Sequence, residues 1–243
     1  MGNLTLQRVE AAATHELVVD EIRRAIHMGL YVPGDHLPAE RALAEQLGVS
    51  RATLREALGV LRSEGYLESR RGAHGGLVVL DQAIDEERMR PVVQQRLDEF
   101  EELLDLREAI EGAAARLAAK RRTASDLRTL TAAFTSMARG LETDRFRAAD
   151  STFHMAVAAA ARNRMMERAI EEARAAMWMP IDDRIEKVFP SAHRHHERIL
   201  TAIRDQNPRA AERAAVAHLE VVRHDLRRAA GVGDRPPPRR RRA

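Results

Sequence analysis

The sequence predicts a mainly α-helical protein made of two domains, the first of which also contains a small β-hairpin. Apolar residues recur at helical spacing over most of the first 64 residues. Two short apolar segments then flank a glycine-rich stretch, and the chain beyond is rich in Ala, Leu, Arg and Glu with almost no glycine. A chain of 243 residues is long enough for two hydrophobic cores. We therefore expect three helices and a hairpin in residues 10–80, and an antiparallel bundle of six or seven helices in residues 92–230.

Three helices are predicted at the start of the first domain. Leucine and isoleucine side chains at helical spacing indicate a helix over 16–30, and a Pro-Gly turn separates it from a second helix over 39–47. Gly48 interrupts the periodicity, and the hydroxyl of Ser50 is suited to cap a third helix over 51–64. Two short helices around a tight glycine-containing turn are typical of a helix-turn-helix.

The hairpin follows directly. Residues 66–69 and 77–80 have the composition of short strands, and the segment 70–76 between them contains three glycines that suit a hairpin tip. A helix-turn-helix followed by a hairpin is the arrangement of a winged helix-turn-helix, in which the hairpin is the wing.

The helix over 51–64 has the residues expected of a DNA-recognition helix. Its N-terminal part faces base edges in such domains, and Arg51 and Arg55 project from one face, where their guanidinium groups suit guanine or phosphates. Arg41 is placed to contact the backbone, and the wing tip adds cations; the simpler interpretation is a solvated helix surface. The candidate DNA-binding residues are Arg41, Ser50, Arg51, Thr53, Arg55, Arg71 and Gly72.

A polar linker and a terminal tail frame the second domain. Residues 81–91 show no clear apolar face, so we place the linker there, and the Pro- and Arg-rich residues 231–243 are expected to be disordered. Pro180 is expected to kink or split the helix that begins near Arg164. Helix starts in the bundle are predicted from capping residues, namely Thr123 with Asp126, Thr143, Ser191, and Asn207 with Pro208.

Composition excludes several classes of protein. The chain has no cysteine, which rules out disulfides, thiolate metal sites and cysteine nucleophiles. It has no apolar run of about 18 residues and no signal-peptide pattern near its start, so we expect a cytoplasmic protein without a membrane partner. The formal net charge is only +3, so the placement of the arginines, rather than their sum, carries the prediction of DNA binding.

A metal site is suggested by four side chains of the second domain. Asp150 and His154 are one helical turn apart and lie on one face, while His196 and His218 come from two later helices. One carboxylate and three imidazoles suit a divalent ion, with zinc preferred and nickel or manganese as alternatives. The alternative interpretation is a hydrogen-bonded polar core, and His193 and His195 compete with His196 for the third place.

The first domain resembles the winged helix-turn-helix of the GntR family. The resemblance runs without a gap from IRRAIHMGLYVPGDHLPAERALAEQLGVSRATLREAL to LRSEGYLESRRGAHGGLVV. It implies a homodimer on a two-fold DNA operator, with Arg41, Arg51, Arg55 and the wing tip at the DNA.

The second domain resembles the FadR-type ligand-binding domain of the same family. The segments DLREAIEGAAARLAA, DSTFHMAVAAAARN, HERILTAI and AVAHLEVV carry this resemblance, in that order. It implies that Asp150, His154, His196 and His218 hold the metal ion, and that Arg107 binds a carboxylate effector; a salt bridge from Arg107 to Glu111 is the alternative.

The predicted function is therefore a transcriptional regulator, expected from the family resemblance to be a repressor whose operator binding responds to a small carboxylate. We expect no catalytic residues. A metal-dependent hydrolase built on the four metal-site residues is a competing hypothesis, but it leaves the winged helix unexplained. An architectural DNA binder whose helical domain only dimerises is a second one, and it would contain neither metal nor a ligand-induced shift.

Overall fold

A computed structural model describes residues 14–71, 76–81, 86–140, 146–177 and 192–232. The chain divides into two compact units. The first comprises the residues up to Ile26 together with Pro33–Asp81, and the second comprises His27–Val32 together with the residues from Gln82 onward.

The first unit contains three helices and a two-stranded antiparallel sheet. The elements are α1 (Thr14–His27), α2 (Glu40–Leu47), α3 (Arg51–Ser63), β1 (Leu67–Arg70) and β2 (Gly76–Val79). Leu54, Leu58 and Leu61 form the buried face of α3, as their helical spacing predicts. This packing leaves the opposite, arginine-bearing face of α3 exposed.

The turn between α2 and α3 has the local chemistry that the sequence predicts. Gly48 adopts a left-handed conformation, with φ of 67°, that ends α2 at little steric cost. Ser50 then caps α3, because its hydroxyl oxygen accepts a hydrogen bond from the backbone N–H of Thr53 at 3.0 Å. Together the two residues fix the angle at which α3 leaves the turn.

The hairpin pairs Leu67 with Val79 and Arg70 with Gly76. Each strand is shifted by one residue from the predicted range, although Leu80 still donates a backbone hydrogen bond to Tyr66 at 2.9 Å. Strand ends of this kind are set by individual hydrogen bonds, which composition does not specify. Of the predicted wing tip, Arg71 is described and exposed, while Gly72 lies outside the described residues.

Seven helices make up the described part of the second unit, so the prediction of a mainly α-helical second domain is confirmed. They are α4 (Glu86–Gln95), α5 (Leu97–Arg121), α6 (Ala124–Gly140), α7 (Phe146–Ala160), α8 (Arg164–Ala176), α9 (Ala192–Arg204) and α10 (Pro208–Ala229). Helix α4 occupies part of the range that the sequence assigns to a linker. Its mixed polar sequence, with Pro91 inside the helix, hides the helical pattern.

Two of the predicted caps start helices as expected. Thr123 and Asp126 form a reciprocal capping box: the Thr123 N–H donates to the Asp126 carboxylate at 2.7 Å, and the Asp126 N–H donates to the Thr123 hydroxyl at 3.2 Å. Asn207 caps α10 in front of Pro208. Thr143, Pro180 and Ser191 lie outside the described residues.

Helix α5 is the central element of the second unit. It packs along α10 and also contacts α7, α8 and α9. Small residues permit this close packing: a Cβ atom added to Gly112 would lie 3.1 Å from Val216 Cγ2 of α10. The inward faces of α5, α7, α9 and α10 therefore meet in a narrow space. None of the helices described has the length and apolar character needed to cross a membrane.

Candidate DNA-binding face and metal centre

The recognition helix presents cations on its exposed face. Arg51 and Arg55 on α3 and Arg41 on α2 are all exposed, as the sequence predicts. Ser50 and Thr53 lie at the start of α3, where their hydroxyl oxygens are 2.8 Å apart. These two residues therefore stabilise the start of the helix.

Arg55 has a partner that the sequence analysis missed. Its Nε–H donates to the Glu40 carboxylate at 2.8 Å, which links α3 to the first turn of α2. The Arg55 side chain nevertheless remains 61% exposed, so its other N–H groups face solvent. Glu40 thus restricts the orientation of an arginine that the sequence predicts to contact DNA. An acidic residue in the first turn of α2 was visible in the sequence, but its distance from Arg55 was not.

A groove of about 580 Å³ lies between α3 and the hairpin. Arg55, Arg62, Arg70 and Glu40 line it, so cations outnumber anions there although Arg55 pairs with Glu40, and this excess suits a phosphate backbone. Arg62 donates to the Ser69 hydroxyl at 3.2 Å, which holds its guanidinium beside β1. The sequence analysis did not include Arg62, because the residue lies on the C-terminal half of α3, away from the expected base-reading positions.

The predicted histidines of the second unit come together in its interior. The relative exposures of His154, His196 and His218 are 4%, 0% and 4%. Each offers a ring nitrogen to a common group whose members lie within 4.8 Å of one another. Asp150 Oδ1 lies 3.0 Å from His196 Nε2 and 3.8 Å from His154 Nε2. The structure thus brings together all four side chains predicted as metal ligands.

The geometry and protonation of this group fit a divalent ion. His154 Nε2 and His196 Nε2 are 3.0 Å apart, close to the separation of about 3.3 Å between neighbouring ligands of a tetrahedral zinc. Burial, together with Arg174, lowers the pKa of His154 to about 4, and burial together with the neighbouring imidazoles lowers the pKa of His218 well below its ordinary value. Both rings are therefore neutral near pH 7, as metal ligation requires.

Glu111 sets the tautomer of His154. A Glu111 carboxylate oxygen lies 2.7 Å from His154 Nδ1, in the buried space between α5 and α7. Burial favours the neutral acid, but Arg107 and His154 outweigh it and hold the pKa of Glu111 well below its usual range. The ionised carboxylate accepts a hydrogen bond from the His154 Nδ1–H group, which leaves the lone pair on Nε2, the nitrogen beside His196. Sequence reasoning considered Glu111 only as a partner of Arg107.

Arg107 is buried, and its guanidinium group already has two partners in the second unit. Its Nε–H donates to the other carboxylate oxygen of Glu111 at 2.6 Å, so the salt bridge weighed in the sequence analysis is present. Its Nη1 lies 3.1 Å from Met177 Sδ. A thioether is a weak acceptor, and this part of the guanidinium is therefore open to exchange for a better one.

Arg174 is the second buried cation that sequence reasoning missed. It lies on α8, its side chain is 8% exposed, and its Nη2 donates to Asp150 Oδ2 at 2.5 Å. Burial would raise the pKa of Asp150, but Arg174 and the neighbouring imidazoles hold it well below its usual range. Asp150 therefore has one oxygen on Arg174 and the other beside the histidines. Nothing in the spacing of the sequence connects Arg174 with Asp150.

His193 and His195 lie outside the buried group. His193 stacks on Phe134 with ring centroids 4.3 Å apart, and the His195 ring is 6.3 Å from that of His218. Beside the group, Glu111 and His154 line a cavity of about 10 Å³, which is room for about one water molecule. The side chains themselves therefore fill most of the described space around the site.

A capped recognition helix beside a hairpin, joined in one chain to an all-helical unit, defines a two-domain transcriptional regulator with a winged helix-turn-helix. The chain belongs to the GntR family: residues 14–75 match the model described as "Bacterial regulatory proteins, gntR family". Residues 102–221 match the FCD domain. This confirms the family resemblance seen in the sequence, and it identifies a regulator rather than an enzyme.

Known relatives support this assignment over most of the chain. The putative HTH-type transcriptional regulator RmpR of Mycobacterium gastri is 34% identical, with 88% of this chain and 80% of that protein covered. The Glc operon transcriptional activator of Escherichia coli is 29% identical, with 87% and 88% covered. The solved structure of E. coli McbR/YncC shares the fold, with a TM-score of 0.54 at 20% identity over 89% of this chain and 99% of that one.

Proposed function

We propose that this regulator is a cytoplasmic homodimer that binds a two-fold DNA operator and releases it when a small carboxylate binds beside a divalent metal ion. The capped recognition helix carries the DNA-binding part of this proposal. The three buried histidines His154, His196 and His218, together with the adjacent, partly exposed Asp150, carry the sensing part.

The roles at the DNA follow from exposure and charge. Arg51 and Arg55 read base edges from α3, and Arg41 contacts a backbone phosphate. Arg71 and Gly72 reach the adjacent groove from the wing, while Ser50 and Thr53 hold the helix start near the backbone. Arg55 is oriented before DNA arrives, because Glu40 already binds its Nε–H group.

The roles at the sensing site follow from the donor set. Asp150 Oδ1 and the three imidazoles would hold the ion, with zinc as the preferred metal. Such an ion would supply a positive centre to which an effector carboxylate can bind. Glu111 orients His154, Arg174 orients Asp150, and Arg107 exchanges its thioether contact for the effector.

Repression relieved by the effector is the direction that we propose. An effector weakens operator binding only if it binds more tightly to a conformation with lower DNA affinity. One relative, the Glc operon protein of Escherichia coli, is named as a transcriptional activator. Release of DNA on effector binding would distinguish this chain from an activator whose affinity for DNA rises when its effector binds.

The DNA-binding proposal is tested by selecting tight-binding duplexes from a random pool with the full-length protein. An Arg51→Ala, Arg55→Ala double variant should lose about 100-fold or more in affinity for the selected duplex, since each bidentate base contact contributes about 1–3 kcal/mol. Fluorescence anisotropy measures this loss, and circular dichroism checks that the variant remains folded.

A matched control is Arg24→Ala, which removes an arginine from α1 of the same unit, where it lies 3.6 Å from Glu21. This variant should retain its affinity for the duplex within about threefold, because the loss of the Arg24 charge changes the electrostatic field of the protein without removing a base contact. Unchanged binding by the double variant would show that α3 does not read the operator.

A further inference from the structure

Four charged side chains surround the buried imidazoles, and their charges cancel. Arg107 binds Glu111 at 2.6 Å, and Arg174 binds Asp150 at 2.5 Å. Each contact is a close ion pair between a guanidinium and a carboxylate, so each pair contributes one positive and one negative charge. The described surroundings of the three imidazoles therefore contain two positive and two negative charges.

A divalent ion disturbs this balance. Imidazoles that bind a metal do so in the neutral form, so they bring no compensating charge. With the ion in place the cluster has a net charge of +2, in a space where the His196 side chain is fully buried. Uncompensated charge is unfavourable in such a place, and the favourable partner is an anion of matching charge.

Arg174 has hydrogen-bonding capacity left for such an anion. Its Nη2 is used by Asp150, but its Nε–H is buried and has no hydrogen-bond partner among the described residues. A guanidinium that binds one carboxylate through one edge can present its remaining N–H groups to a second acceptor. Asp150 links this cation to the imidazoles, because its Oδ2 accepts from Arg174 while its Oδ1 lies 3.0 Å from His196 Nε2.

We propose that the effector is a dianion with two ionised acidic groups, one bound at the metal ion and the other received by Arg174. This inference rests on the proposed metal site and specifies the charge of the ligand that the site takes. A dianion restores the neutrality that the four charged side chains have without the ion. A monoanion leaves a charge of +1 and needs a second anion, such as hydroxide, to complete the balance.

The test uses full-length protein loaded with zinc, with the metal content of each sample measured by inductively coupled plasma mass spectrometry. Isothermal titration compares acids of equal carbon number that differ in charge: propionate with malonate, butyrate with succinate, and valerate with glutarate. We expect at least one dianion to bind about tenfold or more tightly than its matched monoanion. Metal content is measured again afterwards, to show that the acid has not removed the zinc.

Three variants test whether Arg174 causes the preference for dianions over monoanions. Arg174→Gln should reduce the ratio of dianion to monoanion affinity towards one, while Arg174→Lys, which keeps the charge, should retain part of the ratio. Arg168→Gln removes an exposed arginine from the same helix and should leave the ratio unchanged.

Two outcomes would overturn the inference, and they differ from failure of the metal site. If zinc is present and no dianion binds more tightly than its monoanion, the charge argument is wrong while the metal site stands. If the preference survives in Arg174→Gln protein that has kept its zinc, Arg174 is not the receiving residue. Failure to retain zinc after reconstitution would instead overturn the proposed metal centre, and this inference with it.

Discussion

At the scale of single residues, the sensing site depends on carboxylates that each serve two partners. Glu111 binds Arg107 through one oxygen and His154 through the other. Asp150 divides its oxygens in the same way between Arg174 and the imidazoles. Arg107 thus holds Glu111, which orients His154. Arg174 holds Asp150, which is itself a proposed metal ligand. The positions of the metal-site residues are therefore set before any ion binds.

Replacing His196 by alanine should remove the metal. His196 is fully buried and lies 3.0 Å from both Asp150 Oδ1 and His154 Nε2, so its loss takes one donor from the centre of the group. We expect near-stoichiometric metal in the wild type and less than about a tenth of that in the variant, because loss of a direct ligand exceeds the 10–100-fold effect typical of outer-shell partners. Mass spectrometry of purified, tag-free protein measures both.

His193→Ala is the matched control, because His193 precedes His196 on the same helix but stacks on Phe134 instead of joining the group. It should retain the metal. Equal metal content in wild type and His196→Ala protein would show that the ion, if bound, lies elsewhere in the chain.

Sequence reasoning predicted the histidines of the proposed metal site but not the residues that orient the ligands. The spacing of Asp150 and His154 places them on one face of a helix whatever the tertiary fold. The contact between Asp150 and Arg174 joins two helices, and its 2.5 Å distance depends on how α7 and α8 pack. Helical periodicity specifies which face is buried but not which residue of another helix it meets. For the same reason, Glu40 and Arg62 were not assigned to the DNA-binding face.

At the scale of elements, the starts of helices were the most predictable features. Ser50 and Asn207, both predicted as caps, start their helices through side-chain oxygens. Caps are local, because the acceptor and the N–H group that it binds lie two or three residues apart. The residues just before α4 lie outside the described part of the chain, and the mixed polar sequence of this helix resembles a linker. Local chemistry was thus enough at the caps that the structure describes.

The capping box of α6 should make stability depend on pH. Burial raises the pKa of Asp126, but hydrogen bonds from Thr123 and Arg162 outweigh it and lower the pKa in the folded state. Because the folded pKa is depressed, the ionised carboxylate stabilises the fold above the unfolded pKa of about 3.9. That contribution is lost as pH falls through the folded pKa. Asp126→Asn should therefore destabilise the protein at pH 7, by about 1 kcal/mol, the typical value of a helix cap.

Urea denaturation at pH 7, 5 and 3.5 tests this dependence. The difference in midpoint between wild type and Asp126→Asn should be largest at pH 7 and should shrink at pH 3.5. Asp205→Asn serves as the control, since Asp205 is 59% exposed and pairs with its neighbour Arg204. If the difference in urea midpoint between wild type and Asp126→Asn stays constant between pH 7 and 3.5, the hydrogen-bond geometry stabilises the fold and the charge of the carboxylate does not.

At the scale of the whole molecule, two units of different chemistry have to act on one DNA site. The first unit presents a short recognition helix with a few base-reading side chains, which is a small surface for specific binding. A two-fold dimer doubles that surface and makes the distance between half-sites part of the specificity. Because the proposed metal site lies in the second unit, we expect an effector bound there to change DNA affinity by changing how two recognition helices are presented.

This arrangement predicts a strict dependence on half-site spacing. Once an operator has been selected from random DNA, inserting five base pairs between its half-sites turns one half-site by about half a helical turn, since B-DNA has about 10 base pairs per turn. The two recognition helices of one dimer can then no longer enter both major grooves from the same side. We expect the affinity of the full-length protein to fall at least tenfold by fluorescence anisotropy, towards that of a duplex with one half-site.

The matched control adds the same five base pairs outside the half-sites, which keeps the length and charge of the DNA but leaves the spacing intact. It should bind as the selected operator does. Sedimentation of the complex should show two protein chains per operator. If the internal insertion changes nothing, each recognition helix binds on its own. An effector that alters the separation of two helices would then have no means of weakening DNA binding, and control would have to act within a single chain.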